Sequence, residues 1–289
     1  MNIVVTTNNS GGTSEIPGRA QNAAYCKYVA SAGYNPVLAP MEADPEALAI
    51  MGDGLLLAGG IDIDPIYYGF SNICSTNVDP EKDDFERQLL HKFREYGKPI
   101  FGICRGFQLI FRELLFAHPE QALYNRYFEY LENVDRHSQA TLSVARRFPS
   151  HQVRANIKSL LNDGSPRVTG ILPVNSMHHQ AVAVNFAKAT RELYPAIAAR
   201  KDLDKTEPSV LTIKDVELVA WTMRGVQQPT KSKLPDYDNY WTILEAAKIN
   251  NWGAPIMGVQ WHPEELKDIR PIRKFFGGDN KKVAVIGDI

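Results

Sequence analysis

The sequence predicts an α/β protein, a largely parallel sheet flanked by helices, with insertions in its C-terminal half. Three observations predict this class. Short apolar runs rich in branched residues recur along the chain, segments with helical spacing separate them, and the alternation holds through Phe116 before giving way to something less regular. A strand covered by helices on both faces has no polar side, so it reads as a continuous apolar run rather than an alternating one.

The elements follow in order. IVVTT (3–7) is the first strand, Ala20 to Ala32 the first helix, PVLAP (36–40) the second strand and GLLLAG (54–59) the third. A helix over Phe85 to Tyr96 leads to the strand PIFGIC (99–104), and Gly106 to Phe116 forms the helix after it. Strands that alternate with helices in this way pair in parallel through crossover connections. Beyond Phe116, VELVAW (216–221) and IMGVQW (256–261) read as strands, with polar, proline-containing stretches between them. The stretch RGVQQPTKSKLP, Arg224 to Pro235, has turn and charged residues without periodicity, a surface excursion leading into a helix expected over Tyr240 to Asn250. We read residues 1–289 as a single domain with an insertion at 224–251 and a tail at 277–289, whose KKVAVIGDI is either an edge strand or a docking tail.

Bulk properties narrow the class of partner. A chain of 289 residues with 44% apolar content can bury a sizeable core. With 32 basic against 33 acidic residues there is no net field to draw nucleic acid or an anionic membrane, so a small-molecule partner is expected, and a homo-oligomer is compatible. The start MNIVVTTNNSGG lacks a basic region followed by a long apolar stretch, and no window holds the roughly 18 apolar residues of a membrane span, which points to the cytoplasm. Cys26, Cys74 and Cys104 are far apart and odd in number, suggesting neither a disulfide framework nor a zinc knuckle.

Gly102-Ile103-Cys104-Arg105-Gly106 lies between an apolar strand and the helical segment FQLIFRELLF. A nucleophile elbow needs that context: the sharp strand-to-helix turn lifts the thiol out of the sheet, and the helix N-terminus favours thiolate. In Gly258-Val259-Gln260-Trp261-His262-Pro263-Glu264, residues His262 and Glu264 are two apart, the spacing that puts both on one side of an extended chain, where a carboxylate can orient an imidazole. Pro263, Glu264 and Glu265 also read as a helix start, and Glu265 is an alternative orienter.

Leu55 to Pro65 is a strand ending in Gly59-Gly60, followed by Asp62 and Asp64. Attack on an amide carbonyl makes an oxyanion that needs two aimed N–H donors; the Arg105 amide and one from Gly59 or Gly60 can supply them. Asp62 and Asp64 read as turn or capping residues in preference to a metal pair, and no metal or cofactor is assigned. Asn175-Ser176-Met177-His178-His179-Gln180 lies on either the surface or a substrate-facing loop, with no third ligand at zinc spacing. His91, His118, His137, Cys26 and Cys74 stand outside any constellation and read as structural.

Taken together the motifs resemble the class I glutamine amidotransferase-like proteins, in particular the γ-glutamyl hydrolase branch that includes γ-glutamyl-γ-aminobutyrate hydrolases. The resemblance rests on AGYNPVLAP, LLLAGGIDIDPIYYG, DDFE at Asp83 to Glu86, KPIFGICRGFQLI, PSHQV at His151, VNSMHHQAV and GVQWHPEE, which span most of the chain. It implies a flavodoxin-like sheet, with Cys104 as nucleophile, His262 as base and Glu264 as orienter. It further implies an oxyanion hole at Gly60 and Arg105, and contacts from Gly59, Gln108, Ser176, His178 and His179 to a γ-glutamyl substrate or glutamine. Arg105 and the double histidine favour the hydrolase branch over an ammonia-supplying glutaminase partnered with a synthetase. Leu114 to Pro119 departs from the glycine pair and aromatic stretch usual after the elbow helix, and the 224–251 insertion could cover the site.

Overall fold

The computed structural model describes residues 1–8, 18–69, 71–72, 75, 77–131, 134, 139, 144–161, 169–198, 212–222, 226–227 and 240–277. In the first part of the chain the strands are β1 (Asn2–Thr6), β2 (Asn35–Ala39), β3 (Gly54–Leu57) and β4 (Ile100–Ile103). Between and after them lie α1 (Gly18–Ser31), α2 (Pro45–Met51), α3 (Pro80–Glu95) and α4 (Arg105–Phe116). The second part holds β5 (Phe128–Leu131), β6 (His151–Asn156), β7 (Thr169–Val174), β8 (Ala181–Val184) and β9 (Thr212–Ile213). It continues with β10 (Val216–Thr222), β11 (Val226–Gln227), β12 (Tyr240–Ile249) and β13 (Ile256–Val259).

The sheet runs β2-β1-β3-β4-β13-β12-β10-β6-β7. It is parallel from β2 to β13 and antiparallel from β13 outward. In the parallel part successive side chains enter opposite layers. Val4, Leu55, Leu57 and Ile100 pack in one core with Leu48, Leu89, Phe93, Phe107 and Phe111 of α2, α3 and α4. Ile3, Val5, Leu56, Phe101 and Ile103 pack in the other, with Tyr25, Tyr28 and Val29 of α1 and with Ile272 and Phe276 of a C-terminal helix, Arg270–Gly277. Helices on both faces are the reason these strands carry no polar alternation.

Local chemistry starts the helices. The Asp79 carboxylate accepts the Lys82 N–H (3.1 Å) at the head of α3, Pro80 fills the first turn, and Glu81 and Asp83 at the start with Lys92 and Arg94 at the end complement the helix dipole. At α4 the need is different. A Cβ on Gly106 would sit 2.7 Å from the Leu57 carbonyl carbon, so only glycine lets the first turn of α4 rest against β3.

The expectation of a helix over Tyr240 to Asn250 is corrected: Tyr240–Ile249 is a strand. Its Leu, Glu, Ala, Ala and Lys favour a helix, but β10 pairs with it on one side and β13 on the other, while β8 and β11 continue the ladder at its start. Tertiary pairing overrides local propensity. This part of the stretch read as an insertion therefore belongs to the sheet, whereas residues 228–239 and the KKVAVIGDI tail lie outside the described residues. Among the described residues no helix is long and apolar enough to cross a membrane.

Candidate active site

The C-terminal ends of the parallel strands converge, as the crevice of an open α/β sheet requires. Thr7 and Asn8 follow β1, Gly59 and Gly60 follow β3, Cys104 follows β4 and His262 follows β13. Cys104 occupies φ 50°, ψ −105° at the N-cap of α4, and no side chain caps that helix start. A non-glycine residue at positive φ on a strand-to-helix turn is strained, and here the strain aims the side chain across the strand ends.

Cys104 and His262 face one another over Gly59. A Cβ built on Gly59 would be 2.9 Å from His262 Cε1 and 3.4 Å from Cys104 Cβ, so the imidazole and the thiol-bearing residue lie against the same glycine. Both residues are buried. On the far side of the ring His262 Nδ1 lies 2.6 Å from Glu264 Oε1. The route to this pairing differs from the extended-chain expectation. His262 is the N-cap of a one-turn helix, Pro263–Leu266, and the turn folds Glu264 back onto the imidazole. The helix-start reading and the orienting pair thus describe the same atoms. Glu265 faces Arg146 instead, at 3.1 Å. Burial alone would lower the His262 pKa, but the Glu264 charge, followed by that of Cys104, outweighs it and pushes it up to about 10.

Of the two glycines, Gly59 has its N–H bonded to Tyr25 Oη at 3.0 Å, which leaves Gly60 as the donor the turn can offer. The Arg105 side chain runs away from the site into a buried cluster. It pairs with Asp83 and Glu86, Glu86 also takes Lys82, and Lys82 Nζ donates to the Thr7 carbonyl at 2.6 Å. This ties the elbow to α3 and the end of β1 from below. It also accounts for the DDFE segment.

The other residues singled out in the sequence divide into two groups. Gln108 is buried beside the elbow, but its amide donates to the Gln180 carbonyl (2.9 Å), so it braces the 175–180 loop. His178 Nδ1 meets the same carbonyl at 2.8 Å, and the Ser176 N–H donates to Gln139 Oε1 at 2.6 Å. His179 points the other way and pairs with Asp62 at 2.7 Å, at the rim. Asp64 caps the short turn after it by accepting the Ile66 N–H at 3.0 Å. Among the described residues no group of three or more His, Cys, Asp or Glu is arranged to hold a metal ion. His91 meets Glu113 at 2.7 Å and His118 packs edge-on against Tyr124 and tilted against Trp252; His137 and Cys74 lie outside the described residues.

Three residues at the site were not singled out from the sequence. Asn175 grips His262 at two points: its Oδ1 accepts the His262 N–H (2.9 Å) and its Nδ2 donates to the His262 carbonyl (3.1 Å). It opens the polar NSMHHQ cluster, whose paired histidines are the more conspicuous chemistry. Tyr25 and Asn8 contact Gly59, and nothing local marks either of them.

A model of the Peptidase C26 family matches residues 3–201, more than half of the chain. The chain belongs to the Peptidase C26 family. The matched span includes the Peptidase C26 region around Cys104 and ends before His262. A glutamine amidotransferase-like protein of Rickettsia prowazekii is 28% identical over 268 residues, covering 88% of this chain and 86% of that one. The γ-glutamyl-γ-aminobutyrate hydrolase of Escherichia coli O157:H7 is 31% identical over 166 residues, 55% of this chain and 63% of its own. Among solved structures, the glutaminase domain of Trypanosoma brucei CTPS aligns over 96% of this chain and 91% of its own, at 13% identity and a TM-score of 0.48.

Proposed function

We propose that this chain is a cysteine-dependent hydrolase of γ-glutamyl amides. The observation that carries the reading is the line Cys104, His262, Glu264: a thiol on a strained elbow, facing across Gly59 an imidazole whose Nδ1 rests on a carboxylate 2.6 Å away. Family membership and the hydrolase among its relatives support the substrate class.

The Cys104 thiolate attacks the γ-carbonyl carbon, forming a C–S bond as the carbonyl π electrons move onto oxygen. That oxyanion is held by the Gly60 and Arg105 N–H groups. The His262 imidazolium then gives its proton to the amine nitrogen, the C–N bond breaks, and a γ-glutamyl thioester remains. Neutral His262 takes a proton from water, hydroxide attacks the thioester, and glutamate leaves with the thiolate restored. Glu264 keeps the ring in the tautomer that presents Nε2 to the thiol. Gln108, Ser176 and His178 form the wall that receives the glutamyl group, with Gly59 beneath it and His179 at the rim.

The test is turnover of glutamine and a panel of γ-glutamyl amines, read as glutamate and free amine. Wild type should hydrolyse at least one of them, and Cys104→Ala should lose about 10³-fold or more in kcat/KM. No product from any member of the panel would reject the reading. Glutamine turnover that rises only when a synthetase is added would instead identify an ammonia-supplying unit.

A further inference from the structure

Two buried residues of the first strand-helix unit grip Gly59 at its two ends, one on each of the adjoining peptides. The Gly59 N–H donates to Tyr25 Oη (3.0 Å), and the Gly59 carbonyl accepts from Asn8 Nδ2 (2.9 Å). Asn8 is itself anchored to α1: its N–H donates to Asn22 Oδ1 (2.8 Å), and Asn22 Nδ2 donates to the Asn8 carbonyl (3.3 Å). The Tyr25 hydroxyl also reaches the His262–Glu264 pair, lying 3.5 Å from His262 Nδ1. Burial, followed by the Glu264 and Cys104 charges, pushes its pKa well above the usual phenol range. It therefore keeps its proton while its oxygen accepts from the Gly59 N–H.

Peptide planarity turns this grip into an aim. Among the described residues every peptide bond is trans, so the Gly59 carbonyl and the Gly60 N–H, which belong to one rigid plane, point in opposite directions. Holding the carbonyl on Asn8 fixes where the Gly60 N–H points, and holding the Gly59 N–H on Tyr25 fixes the plane before it. The fit is close: a Cβ on Gly60 would lie 2.5 Å from Asn8 Oδ1, so any side chain there would have to push the Asn8 amide aside. We propose that Asn8 and Tyr25 are positioning residues that hold the Gly59–Gly60 peptide as an oxyanion donor, an inference that rests on the hydrolase reading of Cys104. An oxyanion hole works only if its donors are already in place, because reorienting a peptide during the reaction would consume the stabilisation it offers.

The experiment compares two reactions of the same thiol. Acylation by p-nitrophenyl acetate passes through a tetrahedral oxyanion and releases p-nitrophenolate; alkylation by iodoacetamide displaces iodide and makes no oxyanion. Asn8→Asp keeps the shape of the side chain but turns the donor into an acceptor facing a carbonyl, and Tyr25→Phe removes only a hydroxyl. In each variant acylation of Cys104 should slow by ~10–100-fold, below the loss for deleting a donor outright, with alkylation within about 2-fold of wild type. In γ-glutamyl amide turnover kcat should fall while KM stays nearly level. If Asn8→Asp does not fold, Tyr25→Phe carries the test. Unchanged acylation, or equal loss of both rates, would overturn the proposal. The hydrolase reading fails separately, as a wild-type protein that turns over no γ-glutamyl amide while its ratio of acylation to alkylation remains measurable.

Discussion

The half of the sheet that ends in Cys104 and the half that ends in Asn175 differ in how their strands are specified. In the first, β1, β3 and β4 are covered on both faces, so each is an unbroken apolar run that declares itself without reference to its neighbours. In the second, β12 is written in helix-favouring residues and becomes a strand only because β10 and β13 flank it. The first half supplies Cys104 and the glycine turn. The second supplies Asn175, which holds His262. The site lies on the seam, where β13 pairs in parallel with β4 and antiparallel with β12.

The largest expected effect tests how closely the first half is fitted. Gly106→Ala would force a Cβ into the Leu57 carbonyl, where backbone rather than a flexible side chain must give way. Overpacking of this kind costs about 3 kcal/mol or more when nothing can relax. Urea unfolding should show a loss of that size or no folded protein. A Gly106→Ala protein of wild-type stability would mean that α4 can lift off β3, and the elbow would not be a rigid mount.

Next comes the pair on the seam. Glu264→Gln keeps the shape and removes the charge that does most to raise the His262 pKa, so kcat/KM should fall by about 10²-fold or more. The imidazolium should also release its proton at lower pH, which a histidine Cε1–H NMR titration reads directly. The sign for stability follows. The folded pKa of about 10 stands above the ordinary value of 6.5, so the stabilisation from this proton is complete below 6.5 and is lost as pH rises through about 10. In Glu264→Gln that loss should begin at lower pH. A titration matching wild type would separate Glu264 from the ring.

Asn175→Ala tests whether the second half matters to the chemistry. It strips the buried His262 N–H of its acceptor and the His262 carbonyl of a donor, which should cost about 1–3 kcal/mol of stability. Turnover should fall by roughly 10-fold, in kcat more than in KM, since the ring loses its anchor and the thiol does not. Loss of stability with unchanged kcat would confine Asn175 to a structural role.

What the sequence made legible follows the same division. Cys104 could be found because every cue it needs, strand, glycines and helix, lies within a few residues of it, and His262 and Glu264 are two apart. The residues that hold these groups come from far along the chain: Asn175 is 87 positions from His262, Tyr25 is 237 from it, and Asn8 is 51 from Gly59. No periodicity encodes such distances, and an isolated Tyr in a helix or Asn after a strand looks the same whether or not it faces an active site. The Arg105 cluster was half visible, as a motif with acidic residues but without the partner that explains them. β12 reads as a helix in the sequence because its strand state is set by neighbours on both edges.

The smallest expected effect comes from two helix caps, one in each half. Asp44 starts α2 from an exposed position and accepts the Glu46 N–H at 3.0 Å. Asn185 starts the helix Phe186–Leu193 from full burial; its Oδ1 accepts the Lys188 N–H at 2.9 Å, and its own N–H donates to the Tyr127 carbonyl at 2.9 Å. Both caps accept an N–H of the first turn, but Asp44 is exposed and charged while Asn185 is buried and neutral, so the difference on truncation reports burial net of the Asp44 charge. At Asp44→Ala water replaces the lost acceptor, and the cost should be about 0.5–1 kcal/mol. At Asn185→Ala water cannot enter as freely, the Lys188 N–H loses its acceptor and a small void remains, so the cost should approach about 2 kcal/mol. Paired urea melts of the two variants give the comparison. Equal losses would mean that the second half is as open to solvent at its helix starts as the first, which the burial of Asn185 argues against.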